Sequence, residues 1–282
     1  MNNVFLPGIW SMDIAYFTKT LEGLPLEKAA GITAGLGFEC ADLLIRDGHA
    51  VSPDRPGEIV NAVKLFAAAG LRTPMATIDS TRPDDAASRL LSCCGEAGIA
   101  QVRLGFWRYD RSRRWQAQVD AARRDLDGFE RMAERFGIKL TIQLHGGTLH
   151  SSGALAVQLL AGRDPIRIGG YPDPANQIRE GNEDWRLTLD ILDPWFCCMG
   201  VKNSGWFPGA YGSHGQRAWY SDWYGLDEGM VPWNEIVPHL VATGFSGVLS
   251  MHSQYRVSRE QALDKVRADL AHLRRLVAAA KE

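Results

Sequence analysis

The chain predicts an α/β fold, a single (β/α)₈ barrel, on three grounds. Short apolar stretches alternate with amphipathic ones along the chain, eight of each. Gly37, Gly70, Gly98, Gly137 and Gly244 stand just behind five of the amphipathic stretches, where helices favour glycine at the C-cap. Four apolar stretches end in polar phrases: Gln143-Leu144-His145-Gly146-Gly147, Tyr171-Pro172-Asp173-Pro174-Ala175-Asn176, Gly200-Val201-Lys202-Asn203 and Met251-His252-Ser253-Gln254-Tyr255. In such a barrel the loops behind parallel strands converge on one rim, so polar endings in series point to a site there.

The expected strands are Val4–Trp10, Cys40–Arg46, Leu71–Ile78, Gln101–Phe106, Lys139–His145, Ile166–Tyr171, Cys197–Lys202 and Gly247–Ser253. They are short and mostly apolar, as parallel strands covered by helices tend to be. The expected helices are Leu26–Leu36, Pro56–Ala69, Pro83–Ala97, Trp115–Phe136, Gly153–Ala161, Asp184–Leu192, Trp233–Ala242 and Arg259–Ala279. An open doubly wound sheet would want a Gly-rich phosphate turn behind its first strand. Ser11-Met12-Asp13-Ile14-Ala15-Tyr16 contains no glycine. Barrels of this length commonly fold as one domain, so residues 1–282 are read as one. One connection breaks the rhythm. Asn203–Pro232 exceeds the dozen or so residues beyond which loops are usually functional or disordered. It holds Trp206, Phe207, Tyr211, Trp219, Tyr220, Trp223 and Tyr224, too aromatic for a solvated linker, and is expected to fold over the rim.

Thirty-one basic against thirty-three acidic residues leave a formal charge of −2, with no sustained basic face, so nucleic acid is not an expected partner. Arg111-Ser112-Arg113-Arg114 reads as a solvated helix start. No apolar run reaches membrane-spanning length, and Met1–Pro7 lacks the basic start and long apolar core of a signal peptide. No membrane partner is expected, and a cytoplasmic location is. Five cysteines, including the adjacent pairs Cys93-Cys94 and Cys197-Cys198, lack framework spacing and suit reduced, buried thiols. A homo-oligomer is left open.

Six phrases in order resemble the sugar phosphate isomerase/epimerase family, the xylose isomerase-like TIM barrels. They are Leu36–Leu43 with Asp42 where the family usually has Glu, Gly137–His145, Asp173-Pro174-Ala175-Asn176, Gly200–Asn203, Leu226–Trp233 and Gly244–His252. The resemblance implies sugar chemistry at the strand ends. It also implies one divalent metal held by Glu, Asp, His and Glu from strands five to eight. Here those positions read Gln143, Asp173, Gly200 and His252, so formal ligand charge falls from −3 to −1 and one ligand is deleted. Mg²⁺ and Mn²⁺ favour carboxylates and oxygen donors. A metal on Gln143, Asp173 and His252, completed by His145 or water, is one reading; a metal-free site is the other.

Three residues are the expected catalytic groups. His145, ending a strand beside two glycines, is placed to shuttle protons near neutral pH. His150, a few residues on, reads as an exposed loop residue. Asp173 stands before Pro174, which holds it extended, as ligand, base or acceptor for turn amides. Lys202 is expected to be charged and paired, steadying an enolate or carboxylate, or, in a dry pocket, to act as a base or Schiff-base lysine. Gln143, Asn176, Trp107, Arg103, Trp206, Arg217 and His252 are the expected substrate contacts. Arg103, Arg108 and Arg217 can clamp a carboxylate or phosphate. Trp10, Trp107, Trp206, Trp219 and Trp223 can stack on sugar faces or close the barrel ends. Gln143 cannot act as acid or base at neutral pH, which counts against ordinary two-base epimerisation.

The expected activity is isomerase- or epimerase-like, on a small sugar or polyhydroxy keto substrate, by proton abstraction next to a carbonyl. A lyase or decarboxylase on a keto-sugar acid shares that enolate chemistry, and a non-catalytic sugar-binding barrel is the rival outside enzymes. A DNA-repair endonuclease of a related barrel family would need many His and Glu ligands for several zinc ions, which the chain lacks.

Overall fold

The computed structural model describes residues 12–282. Its strands are β1 Asp13–Phe17, β2 Cys40–Leu44, β3 Arg72–Thr77, β4 Gln101–Arg103, β5 Lys139–Gln143, β6 Ile168–Tyr171, β7 Cys198–Val201, β8 Asn203–Tyr211, β9 Arg217–Tyr224 and β10 Val248–Met251. Eight of them run parallel in the order β6-β5-β4-β3-β2-β1-β10-β7, while β8 and β9 form a separate antiparallel ribbon. The helices are α1 Leu26–Gly35, α2 Glu58–Ala68, α3 Asp85–Glu96, α4 Trp115–Phe136, α5 Gly153–Leu160, α6 Pro174–Glu180, α7 Trp185–Leu192, α8 Trp233–Ala242 and α9 Arg259–Ala279. This is the expected (β/α)₈ barrel, nearly closed. At the seam between β6 and β7, Gly170 bridges Phe196 and donates its N–H to the Trp195 carbonyl at 2.7 Å. Glycine is needed there: a Cβ on neighbouring Gly169 would stand 2.3 Å from Cys197 Sγ.

Seven of the eight expected strands fall on barrel strands; Val4–Trp10, with Trp10, lies outside the described residues. The strand beside β2 and β10 is β1, inside the stretch expected to be a loop. Its charged first residue hides the apolar run, but Asp13 is paired with Arg72 at the start of β3 by two bonds of 2.7 and 2.8 Å. Helix α6 was not expected either. It is seven residues long and is set by its start: Asp173 caps the Asn176 N–H at 3.0 Å with Pro174 in the first turn.

Most buried apolar side chains form a shell between strands and helices. A smaller cluster, including Ala15, Cys40, Met75, Tyr171, Cys198 and Val248, draws on six strands and fills the barrel's inside. Above it sits Asp42, fully buried, accepting from Thr77 Oγ1 at 2.9 Å and Ser250 Oγ at 2.7 Å. All five cysteines are free thiols. Among the described residues no helix is long and apolar enough to cross a membrane.

The long connection is the β8–β9 ribbon. Its base is packed, with Asn203 and Ser204 fully buried, and Trp223 lies 4.6 Å from Lys202 Nζ and 4.4 Å from Arg179. Its far half does not fold over the rim as expected: Tyr211, Trp219 and Tyr220 are exposed. Asn203 pinches the two ends together. Its Nδ2 donates to Leu226 O at 2.7 Å, and its Oδ1 accepts from Ser204 N at 2.9 Å and Val231 N at 2.8 Å.

Candidate active site

Because the barrel strands are parallel, the residues that end them share one mouth. A small recess of about 40 Å³ opens there. The ends of β4 and β5 bring Arg103, Gln143 and His145 to it; those of β7 and β10 bring Lys202 and His252.

His145 is half-buried on the recess wall, its ring 4.4 Å from that of Phe106. Its Nδ1 lies 3.0 Å from the Gly146 carbonyl, which also accepts from Arg108 Nη1 at 3.3 Å. A carbonyl can only accept, so Nδ1 carries the proton and Nε2 is left as an acceptor. Burial, foremost, pulls the imidazole below its ordinary value, with the charge of Lys202 adding to it. His145 is therefore a neutral ring at pH 7 with an open lone pair, the form a general base requires.

Lys202 is buried, and its ammonium is held by Asp173 Oδ2 at 3.1 Å and Asn176 Oδ1 at 2.8 Å. An ammonium has three N–H donors, so one remains for the recess. Burial lowers the lysine's pKa and the Asp173 charge opposes that. Asp173 is fully buried beneath Lys202 and does not line the recess. Its Oδ2 also accepts from Gln143 Nε2 at 2.8 Å, while Oδ1 caps α6. It acts as the counter-charge of Lys202 rather than as a base in contact with a substrate. The Gln143 side-chain carbonyl accepts from no protein group among the described residues. Asn176 donates its Nδ2 to Leu144 O at 2.9 Å and supports from behind.

His252 is buried, with Nε2 2.8 Å from the Tyr171 hydroxyl and its ring 4.3 Å from Phe17. Burial, first, and then the charges of Lys202 and Arg103 press its pKa far down. Arg103 is fully buried, donates Nη1 to Leu104 O at 3.0 Å, and lies 4.5 Å over Phe106.

The three residues proposed from sequence to hold a divalent ion do not fit one. Oδ2 of Asp173 is spent on an ammonium and an amide, Gln143 turns its NH₂ toward that carboxylate, and His252 Nε2 is engaged by a phenol. At the fourth position a Cβ on Gly200 would stand 2.7 Å from Asp173 Oδ2, so the carboxylate fills the space a side chain there would need. Among the described residues no group of three or more His, Cys, Asp and Glu side chains is arranged to hold a metal. The cation beside Asp173 is Lys202.

Other expected contacts lie elsewhere. Trp107 is buried against Phe129 and His150, with Nε1 on Asp125 at 3.1 Å. Trp206 sits on the ribbon, donating to Ile178 O at 2.9 Å. Arg217, at the ribbon's far end, donates to Gly209 O at 3.2 Å. His150 is fully buried rather than exposed, with Nδ1 on Gln143 O at 2.9 Å and a pKa near 3 through burial. The recess also holds Lys19, Arg46, Phe106 and Gln254, which the sequence reading missed. Arg46 ended an expected strand and Gln254 lay in a quoted phrase, so the strand-end rule was enough to find both. Lys19 was hidden by the misplaced first strand.

The chain resembles solved structures along nearly its whole length. A xylose isomerase-like TIM barrel protein from Mycobacterium smegmatis, in complex with magnesium, superposes with a TM-score of 0.71 at 18% identity, covering 96% of this chain and 98% of that one. An L-ribulose 3-epimerase gives 0.72 at 16% identity, covering 96% of each. The 3-keto-D-glucoside 4-epimerase of E. coli, without ligand, gives 0.69 at 15%, covering 94% of this chain and 100% of that one. At such identities these likenesses speak to the fold. A comparison with curated proteins yields no match. The family pattern described as xylose isomerase-like TIM barrel matches residues 31–276, and on that match the chain belongs to the xylose isomerase-like TIM barrel family.

Proposed function

We propose that the protein is a sugar isomerase- or epimerase-like enzyme that removes a proton next to the carbonyl of a polyhydroxy keto substrate. The observation that carries this reading is the meeting, in one recess, of a neutral imidazole with a free Nε2 and a buried ammonium with a free N–H. His145 Nε2 takes the proton as the C–H bond breaks. The electron pair passes to the carbonyl oxygen, where charge develops beside Lys202 Nζ. A fixed cation aimed at developing charge is the usual largest aid to such a step. Gln143 Oε1 orients a hydroxyl. Return of the proton to the former carbonyl carbon, with the hydroxyl proton of the first carbon passing to the former carbonyl oxygen, gives isomerisation. Epimerisation needs a second acid on the opposite face; His252 lines the recess there, but burial holds it neutral and its Nε2 is on the Tyr171 hydroxyl, which favours isomerisation. The family relationship and the sugar epimerases among the structural neighbours support the same class.

The test is incubation of the protein with a panel of ketohexoses and ketopentoses in D₂O, read by mass spectrometry. Deuterium enters a substrate carbon with the native protein. In His145→Gln the rate falls by about 10²–10⁴, the usual worth of a positioned general base. Sugar binding without exchange would leave a binding barrel instead.

A further inference from the structure

The recess has an unusual charge balance. Lys19, Arg46, Arg103 and Lys202 all line it, and none of its described lining residues is an Asp or Glu. Two of the four cations are matched. Arg46 is held by Asp79 through two bonds of 2.5 and 2.7 Å, and Lys202 by Asp173 at 3.1 Å. Arg103 is not matched in this way. It is 2% exposed, its Nη2 is 3.9 Å from an Asp79 oxygen that Arg46 already engages, and its Nε has no hydrogen-bond partner among the described residues. Lys19 has no acidic partner within ion-pair distance among the described residues, and burial together with the charges of Arg46, Lys202 and Arg103 lowers its pKa. Met1–Ser11, outside the described part, contains no Asp or Glu.

A buried guanidinium with an open donor costs several kcal/mol of desolvation unless something meets it. Within the fold Arg103 makes one bond to a main-chain carbonyl, rests on Phe106 and feels the charges of Asp79 and Asp42 without hydrogen-bonding either. The same Phe106 ring packs against His145. It thus holds the guanidinium and the proton carrier against a single aromatic platform, 4.5 and 4.4 Å from its ring.

From this arrangement we infer that the recess takes an anionic substrate, a keto-sugar acid whose carboxylate is bound by Arg103 with Lys19 closing over it at the mouth. A carboxylate is favoured over a phosphate ester because the donors are a planar fork and one ammonium. Among the described residues no glycine and no α-helix N-terminus lines the recess, the features that usually cradle a phosphate; the one helical start there is the single 3₁₀ turn Thr18–Leu21. The inference rests on the proposed enolisation only for the word keto; the anion subsite stands on its own geometry.

Binding is measured by calorimetry for matched probes: 5-keto-D-gluconate and D-gluconate as acids, D-fructose and D-sorbitol as neutral counterparts, D-fructose 6-phosphate as the ester. With the native protein at least one acid binds ten-fold or more tightly than its neutral counterpart, and the preference shrinks as salt is raised. Arg103→Met reduces it to about one. Lys19→Ala, a change at an exposed position, cuts it roughly three-fold and keeps the inference testable if Arg103→Met does not fold. No preference for either acid, or a preference that survives in the variants that fold, overturns the inference; a preference for the ester alone overturns the carboxylate. Deuterium uptake on the same probes separates this from the proposed reaction. Acid preference without exchange leaves the subsite standing and removes enolisation. Equal exchange into neutral and acidic sugars with equal affinity does the reverse.

Discussion

Replacing Asp173 by asparagine breaks the ion pair on which the site is built. The change keeps volume and keeps an oxygen able to cap α6 at the Asn176 N–H, while an NH₂ replaces the Oδ2 that accepts from Lys202 and Gln143, so the charge and those two acceptances are lost together. Lys202 retains Asn176 Oδ1 at 2.8 Å but loses a counter-charge at 3.1 Å, both groups being buried. At an effective dielectric constant of about 20, Coulomb's law gives about 5 kcal/mol for that separation. Removing one partner of a buried pair typically costs about 3–5 kcal/mol. The expected loss in urea unfolding at pH 7 is therefore about 3–5 kcal/mol, with an unchanged denaturant slope. The pH dependence has a definite sign. Asp173 is what holds the Lys202 pKa up against burial, so in Asp173→Asn it falls further below the unfolded lysine's value. Between those two values the unfolded chain binds more protons, and the variant regains stability as pH rises. Asp173→Asn combined with Lys202→Met should be more stable than the single losses add up to, by about 2 kcal/mol or more. Additivity within about 0.5 kcal/mol would show that the two side chains are not coupled, and the account of the site would fail.

Gly200→Ala places a Cβ 2.7 Å from Asp173 Oδ2; overpacking of this kind costs about 1–3 kcal/mol, read as a lower unfolding midpoint. His150 stays neutral in the fold down to about 3 while the unfolded histidine protonates near its ordinary value, so stability falls as pH drops below that value. By pH 4.5 this histidine alone removes roughly 2–3 kcal/mol. Asp42 opposes it: burial raises its pKa to about 6, and the folded protein gains stability as pH falls through that value. In urea midpoints from pH 7 to 4.5, His150→Phe should flatten the acid loss and Asp42→Asn should steepen it. Asn203→Ala frees the Leu226 and Val231 main-chain groups; limited proteolysis should then cut between residues 205 and 230 while barrel amides stay protected from hydrogen exchange.

The barrel was legible because its strands are buried runs and its helices end in glycine. Most of the mouth was legible because reactive groups stand where parallel strands stop. What escaped has physical causes. Asp13 interrupts the apolar signal of β1 with a charge neutralised 59 residues further on by Arg72. Pro208 and the glycines at 205 and 209 suppress the strand signal of β8, whose pairing with β9 comes from register rather than propensity. Helix α6 is shorter than two full helical repeats, so periodicity could not reveal it. Spacing cannot tell that Lys202 lands on Asp173, and so the choice between an ammonium and a divalent ion stayed open until the side chains were placed. His150 read as exposed because its neighbours are polar, yet its ring packs beside Trp107 and Phe106.

The clasp formed by Asn203 separates the fate of the ribbon from that of the barrel. Main-chain groups on both sides of the excursion are tied to one amide before the chain departs, so loop-closure entropy is settled at the root whatever follows. Doubling a loop closed in this way adds only about 0.6 kcal/mol. Segments of different length and composition can therefore be grafted between Phe207 and Tyr220, leaving Trp223 on Lys202 and the barrel register undisturbed. This gives the scaffold a socket in which surface properties change independently of the chemistry below.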